Sequence, residues 1–347
     1  MAASAGPGGA RSGVLIVSLG STTGLREADE ELAASLRRAG ASVRLATARR
    51  PREVRTLALT DLLWARAARV AALAALSEDP DQAIVYSSTT AAMFWPRPGA
   101  IRFDAPAAGN RPGRHGFWQR PLERRRLEQA PLLLPLSTGA LEEAGPRTIP
   151  GPRALVLPPP VDPSGPPAPS RDIAAITYAG NPRKKGLGRV LAAWRSVHAG
   201  AEGELVVTGA SPEELRAAGV DLAGEPGVRD AGRLPREEYR ALLRRARVFV
   251  TAPHREDYGQ AQMEALADGC LLVTTPAPGP YAALPIARRL APGLVGQDLA
   301  GALAAALAHP DPAAYAARAR DELAPFSAAV LDARVGAELL PRLAGPG

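Results

Sequence analysis

The amino-acid sequence predicts an α/β protein made of two parallel-sheet domains in tandem. Three observations point there. Short apolar runs alternate with helical stretches along most of the chain, the pattern of parallel strands covered by helices on both faces. Near the middle, Pro158 to Pro169 (P-P-P-V-D-P-S-G-P-P-A-P) interrupts that alternation with a segment that can supply neither a central strand nor a helix. The length, 347 residues, suits two domains of ordinary size.

The elements follow in order. Val14 to Leu19 (V-L-I-V-S-L) reads as a buried strand that runs into a small-residue loop, Gly20-Ser21-Thr22-Thr23-Gly24. A helical pattern covers Arg26 to Ala39, with Leu32 and Leu36 on one face, and Gly40 ends it. Val43 to Ala46 is the next strand and Thr60 to Leu76 the next helix. Ala83 to Tyr86, Ala100 to Phe103 and Leu132 to Leu136 read as strands, with a basic helix from Trp118 to Gln129 before the last. The proline segment reads as a semi-rigid linker. A second series then begins with the strand Ile173 to Tyr178 and the loop Gly180 to Gly186. Helices over Leu187 to His198, Pro212 to Ala218 and Arg236 to Arg245 alternate with strands over Glu204 to Thr208, Val248 to Thr251 and Leu271 to Thr274. The remainder is mostly helical and ends with Ala328 to Leu343. The expected division is a disordered tail over 1–12, a Rossmann-like domain over 13–157, the linker over 158–170, and a second Rossmann-like domain over 171–327. A C-terminal helix over 328–347 completes it, with a return to the first domain as one option. Two such halves are expected to face each other across a cleft.

Composition narrows the function. A net charge of +7 and a pI of about 10.1 favour anionic partners: nucleotides, phosphosugars, nucleic acid or anionic lipid. The single cysteine, Cys270, allows no intramolecular disulfide and opens an apolar run, which suits a cytoplasmic protein and a small core residue. No apolar stretch approaches the roughly 20 residues needed to cross a bilayer, and the N-terminus has no apolar signal core.

Two loops carry the chemistry. Glu256 to Glu264 reads E-D-Y-G-Q-A-Q-M-E, between a buried strand and a helix. Glu256 falls in the loop at the strand's carboxyl end and Glu264 inside the helix. The start of a helix presents unpaired N–H groups and partial positive charge, which suit a phosphate. Gly259 lets a ligand approach the backbone, and carboxylates accept hydrogen bonds from sugar or ribose hydroxyls. A helix-capping acid followed by a solvated glutamate would leave the same spacing. The second loop, G-N-P-R-K-K-G, holds Arg183, Lys184 and Lys185 between Gly180 and Gly186, where side-chain charge and backbone N–H groups together suit a diphosphate. A solvated basic turn is the plainer reading. Arg111 to Arg126 is a third feature: six arginines against Glu123, with Phe117 and Trp118 interleaved. It fits an anionic membrane surface, a phosphorylated acceptor, single-stranded nucleic acid, or simply a solvated helix face anchored by the aromatics. There is no metal-ligand spacing, no G-x-S-x-G and no Walker loop, and Gly20 to Gly24 lacks the dinucleotide fingerprint.

The phosphate loop followed about seventy residues later by E-x-x-G-x-x-x-x-E, with Tyr258 before its glycine, resembles the donor-binding domain of retaining glycosyltransferases of GT-B architecture, the group 1 glycosyl transferases (family 4 of the sugar-enzyme classification). The resemblance spans about Ile173 to Leu307. Over 14–157 it rests on the α/β pattern and the Gly20 to Gly24 loop. It implies transfer of a sugar from a nucleotide-sugar with retention of configuration, with no required metal and no cofactor besides the sugar donor. By position, Glu264 would hold the ribose hydroxyls, Glu256 the hydroxyls of the transferred sugar, and Lys185 the departing diphosphate. The backbone of Tyr258, Gly259 and Gln260 would cap the distal phosphate, with Gly180, Asn181, Arg183 and Lys184 around it. Gly20, Ser21, Thr22, His115 and His254 are the candidates for the acceptor side of the cleft. Three departures stand out. Asn181 takes the place of an arginine, with Arg183 as the candidate substitute cation. Asp257 replaces a glycine. His115 is the only histidine in the first half for a role near the reacting carbon. The expected partners are a nucleotide-sugar and an unknown sugar, lipid or small-molecule acceptor, with the inner membrane face reached through Arg111 to Arg126 as one option and nucleic acid not expected. Two alternatives remain: a basic nucleic-acid or anionic-surface binding protein with a decayed transferase site, and a GT-B nucleotide-sugar epimerase.

Overall fold

A computed structural model describes residues 13–344 except Thr22, Glu53, Arg55, 146–152, Pro167, Pro169 and 199–202. The expected tail over 1–12 and the candidate Thr22 therefore lie outside the described residues. The chain divides into two units. One runs to Pro159 and resumes at Ala329, and the other is Pro160–Ala328.

The first unit holds a five-stranded sheet of β1 (Gly13–Ser18), β2 (Ser42–Thr47), β3 (Ala83–Tyr86), β4 (Ala100–Phe103) and β5 (Leu133–Pro135), in the order β2-β1-β3-β4-β5 with every pairing parallel. The continuous apolar run of β1 is explained by burial on both faces. Leu15 and Val17 join Ala68, Ala72 and Tyr86 on one side. Val14 and Ile16 join Leu32, Leu36, Leu331, Val335 and Leu339 on the other. The last three of these come from the C-terminal stretch. It is α-helical over Ala328–Arg334, widens to a π-turn over Val335–Leu339, and resumes as α-helix over Leu340–Ala344. Arg38 and Ser35 of the helix Thr23–Arg38 hold Asp332 of this stretch at 2.7 and 2.5 Å.

The second unit holds β6 (Ile173–Tyr178), β7 (Leu205–Thr208), β8 (Val228–Gly232), β9 (Ala246–Thr251) and β10 (Leu271–Thr274), in the order β10-β9-β6-β7-β8, again parallel. This is the Rossmann order, and its chain reversal falls between β6 and β9. Loops leaving two adjacent strands at such a reversal open away from each other and leave a crevice. Strand β8 (V-R-D-A-G) was not readable from the sequence. It lies at the sheet edge, only partly buried, and carries one large apolar side chain.

The chain is anchored just before the proline segment and at its start. Leu155 and Leu157 donate to the carbonyls of Leu133 and Pro135 and are buried. Val161 donates to Phe326, and Asp162 caps Ala328. The boundary between the units falls inside this segment, after Pro159.

Leu339 is fully buried in the first unit. Leu339→Ala is expected to lower unfolding free energy by about 2–5 kcal/mol in chemical denaturation, the range for deleting a buried leucine side chain. A change within about 0.5 kcal/mol, typical of a surface site, would show that the C-terminal stretch is not part of this core.

Candidate functional site

The loop after β6 is shaped by its own residues. Asn181 accepts through its side chain from the Lys184 N–H (3.0 Å) and through its carbonyl from the Lys185 N–H (2.8 Å), so the residue standing in the arginine's place closes the turn. Gly186 then takes φ +66°, and a Cβ there would lie 1.9 Å from the Ala252 carbonyl oxygen. Only glycine permits this approach. The His254 N–H donates to the Lys184 carbonyl (2.9 Å), which ties the β6 loop to the β9 loop.

That tie brings cations and carboxylates together. Lys185 Nζ lies 2.6 Å from Glu256 Oε2, and Gln262 Nε2 donates to the same oxygen at 3.0 Å. Glu256 is buried, and its backbone is clamped from the β10 side. Its N–H donates to Pro278, and a Cβ on Gly279 would lie 2.3 Å from its carbonyl oxygen. Asp257 pairs with Lys184 and with Arg255 Nε (2.8 Å). Burial works to raise the Asp257 carboxyl, but the two cations outweigh it and hold it below the usual carboxylate range. Gly259 (φ +94°) opens the helix Gln260–Ala267, which carries Glu264 on its second turn. Arg236 Nη2 and Gln260 Nε2 both reach Glu264 Oε1, at 2.8 and 3.3 Å. Tyr258 is buried in the same loop. The predicted residues Lys184, Lys185, Glu256, Gln260 and Glu264 thus converge at the carboxyl ends of β6 and β9.

Several buried polar atoms here have no hydrogen-bond partner among the described residues: Gln260 Oε1, Gln262 Oε1 and Thr275 Oγ1. Buried polar atoms of this kind usually have a hydrogen-bond partner. Arg183 does not join the group. Its guanidinium donates to the Ala217 carbonyl at 2.7 Å on another helix. His254 is exposed and contributes its backbone.

Sequence reasoning missed Arg236, Arg240 and Gln262. Arg236 is the first residue of the helix Arg236–Arg245, where the helix dipole disfavours a cation. That mismatch was the available signal. Arg240 Nε holds Asp268 (2.6 Å) behind Glu264. Gln262 was hidden because its role depends on the fold bringing Lys185 to Glu256.

In the first unit the chain reversal falls between β1 and β3, where Ser18, Gly20 and Ser21 lie. Ser18 Oγ donates to Asp29 (2.5 Å) and accepts from the Gly20 N–H (3.1 Å). Asp29 is fully buried beside Arg102 (3.2 Å), and burial raises its carboxyl despite that cation. The arginine segment is less available than its composition suggested. Arg111 pairs with Asp61, Arg120 bonds the Gly113 carbonyl, and Arg126 bonds the Met93 carbonyl beneath the Trp95 ring. Arg114, Arg124, Arg125 and Phe117 remain exposed, while Trp118 stacks on Phe94. Phe117 is therefore no anchor to the core. His115 lies in the short helix Gly113–Gly116, and its side chain is outside the described residues.

Glu123, on the buried side of this segment, is 3% exposed and accepts from the Ala107 N–H at 2.7 Å. Burial pushes its carboxyl up from 4.5 to about 7, against hydrogen bonds from Thr89 and Ala107. Between those two values the folded protein keeps a proton that the unfolded chain has released. Unfolding free energy therefore falls as pH rises through that window and levels off above it. Glu123→Gln is expected to remove a slope of up to about 1.4 kcal/mol per pH unit between pH 4.5 and 7. Denaturant midpoints measured across that range check it, and an unchanged slope would contradict it.

Residues 173–309 match the family model of glycosyl transferases group 1, and no curated protein sequence matches the chain significantly. WaaG, a glycosyltransferase involved in lipopolysaccharide biosynthesis, superposes with a TM-score of 0.70 at 19% identity, over 93% of this chain and 98% of that one. Sucrose-phosphate synthase from Thermosynechococcus elongatus gives 0.74 at 19%, over 96% and 99%. Anabaena HepE in complex with UDP and glucose gives 0.66 at 13%, over 95% and 99%. At these identities the likeness is one of fold. Residues 173–309 thus match the group 1 glycosyl transferases, within a chain whose two Rossmann-like units follow the GT-B fold.

Proposed function

We propose that this protein is a glycosyltransferase that moves a sugar from a nucleotide-sugar to an acceptor with retention of configuration. The observation that carries the reading is the convergence of Lys185, Glu256, Gln262 and Glu264 on the β6–β9 reversal of a Rossmann sheet, in the segment that matches group 1 glycosyl transferases.

Each group has a chemical task. The leaving group is a nucleoside diphosphate, so negative charge develops on its distal phosphate as the bond to the sugar breaks. Lys185 meets that charge as a cation, and the N–H groups at the start of Gln260–Ala267 meet it as fixed dipoles. Lys184 lies beside them. Charge supplied in this way requires no metal ion. Glu256 leaves its pairing with Lys185 to accept from hydroxyls of the transferred sugar, and Glu264 accepts from the ribose. Glu256 is not assigned as a nucleophile. The leaving phosphate is the base that takes the acceptor proton on the same face of the sugar.

We assign the acceptor to the first unit, at the β1–β3 reversal around Gly20 and Ser21, where the Ser18–Asp29 bond fixes the loop. No helix among the described residues is long and apolar enough to cross a membrane. The proposal places the protein in the cytoplasm, with contact to an anionic lipid surface confined to Arg114, Phe117, Arg124 and Arg125.

Isothermal titration with a panel of nucleoside diphosphates and their sugar esters tests the reading, starting with uridine diphosphate because the HepE structure holds UDP. One member is expected to bind, and Lys185→Ala and Glu264→Ala should each weaken it by about 10- to 100-fold, the loss of a charged hydrogen bond. Unchanged affinity in both variants would reject the site. Once an acceptor is found, the anomeric configuration of the product, read by NMR, should equal that of the donor. An inverted product would reject retention.

A further inference from the structure

Among the described residues, all the hydrogen bonds that Glu264 receives fall on one oxygen. Arg236 Nη2 lies 2.8 Å from Oε1, Gln260 Nε2 lies 3.3 Å from Oε1, and the nearest approach of Arg240 is 4.0 Å, again to Oε1. Among the described residues Oε2 has no such partner. A carboxylate with one oxygen engaged and the other open is a directed acceptor. Its open oxygen has two lone pairs, enough for two neighbouring hydroxyls.

Arg236 is the residue that fixes this arrangement. It starts the helix Arg236–Arg245, where its charge opposes the helix dipole, and its ion pair with Glu264 offsets that cost. Arg240 cannot take over. Its guanidinium is bound to Asp268 at 2.6 Å and to the Asp162 carbonyl at 2.8 Å, and it is buried. Gln260 supplies only a neutral bond. Its own Oε1 is buried without a partner among the described residues, so a second acceptor stands one helical turn from Glu264.

We infer that Arg236 is a positioning residue for nucleotide recognition: by holding Oε1 of Glu264, it aims Oε2 at the vicinal hydroxyls of the ribose and makes the site select ribonucleotide over deoxyribonucleotide donors. This rests on the reading of Glu264 as the ribose-binding group. Arg236 acts through Glu264 and takes no part in bond cleavage, so its effect falls on donor binding and not on the chemical step.

The experiment uses the full chain and the nucleoside diphosphate that binds best in the panel, with its 2′-deoxy and 3′-deoxy analogues. The wild type should bind the ribo form at least about tenfold more tightly than either analogue, the scale for one hydrogen bond to a charged group. Arg236→Gln should weaken the ribo form and leave the deoxy analogues nearly unchanged, so that the ratio falls toward one. Arg236→Lys should restore part of it. Turnover of the sugar donor should show KM raised with kcat within about twofold, as loss of uniform binding requires. Glu264→Gln is the parallel arm. If Glu264→Gln abolishes the discrimination and Arg236→Gln does not, the positioning role is wrong while the ribose site stands. If neither abolishes it, both are wrong. Tighter binding of the ribo form by Arg236→Gln would also overturn the inference, because Arg236 would then be a competitor for Glu264. Arg236 is half-exposed, with 45% of its side chain accessible, so the variants should fold, and thermal unfolding confirms this for each.

Discussion

The candidate site depends on a close approach of two backbones. Gly186 packs against the Ala252 carbonyl in a space that no side chain could share, and it does so at positive φ. This contact sets the β6 loop directly against the β9 loop. The His254–Lys184 bond then fixes their register, and Lys185 Nζ lies 2.6 Å from Glu256 Oε2. Sheet order alone would bring the two loops to one edge. The glycine determines that their side chains meet.

The consequence is a site whose carboxylates are already paired with cations. Lys185 is paired with Glu256, Lys184 and Arg255 with Asp257, and Arg236 with Glu264. Neutralisation lowers the cost of holding several ionised groups in a partly desolvated place. Under the proposed function, an anionic ligand would enter by exchange. A diphosphate takes the place of a carboxylate beside a lysine, and the released carboxylate needs hydrogen-bond donors of its own. A sugar phosphate supplies both halves in one molecule, the anion for the lysine and the hydroxyls for the acid. A simple anion supplies only one. On the proposed reading, the paired state would favour the composite ligand over free phosphate.

Much of this was legible in the sequence because it follows from local pattern. The buried strands announce themselves as continuous apolar runs, as in Val14 to Val17, and both glycine-bearing loops sit at strand ends where sheet topology places ligands. Partnership was less legible. Arg183 looked like a substitute for the missing arginine, yet its side chain turns to the Ala217 carbonyl, because the turn closed by Asn181 points it outward. Asp257 looked like a departure from a glycine and proves to be the partner of two cations. In the first unit, the arginine segment gave a charge count but not its internal uses, since Asp61 is fifty residues from Arg111. Strand β8 was missed because an edge strand with polar faces carries little periodic signal.

The most direct measurement is a crystal structure of the protein with a nucleotide-sugar that it binds. The account predicts the diphosphate beside Lys185 and the start of the helix Gln260–Ala267, with Glu256 released from Lys185 onto the sugar hydroxyls and Glu264 on the ribose. A nucleotide-sugar lying elsewhere, with Lys185 still bonded to Glu256, would contradict it.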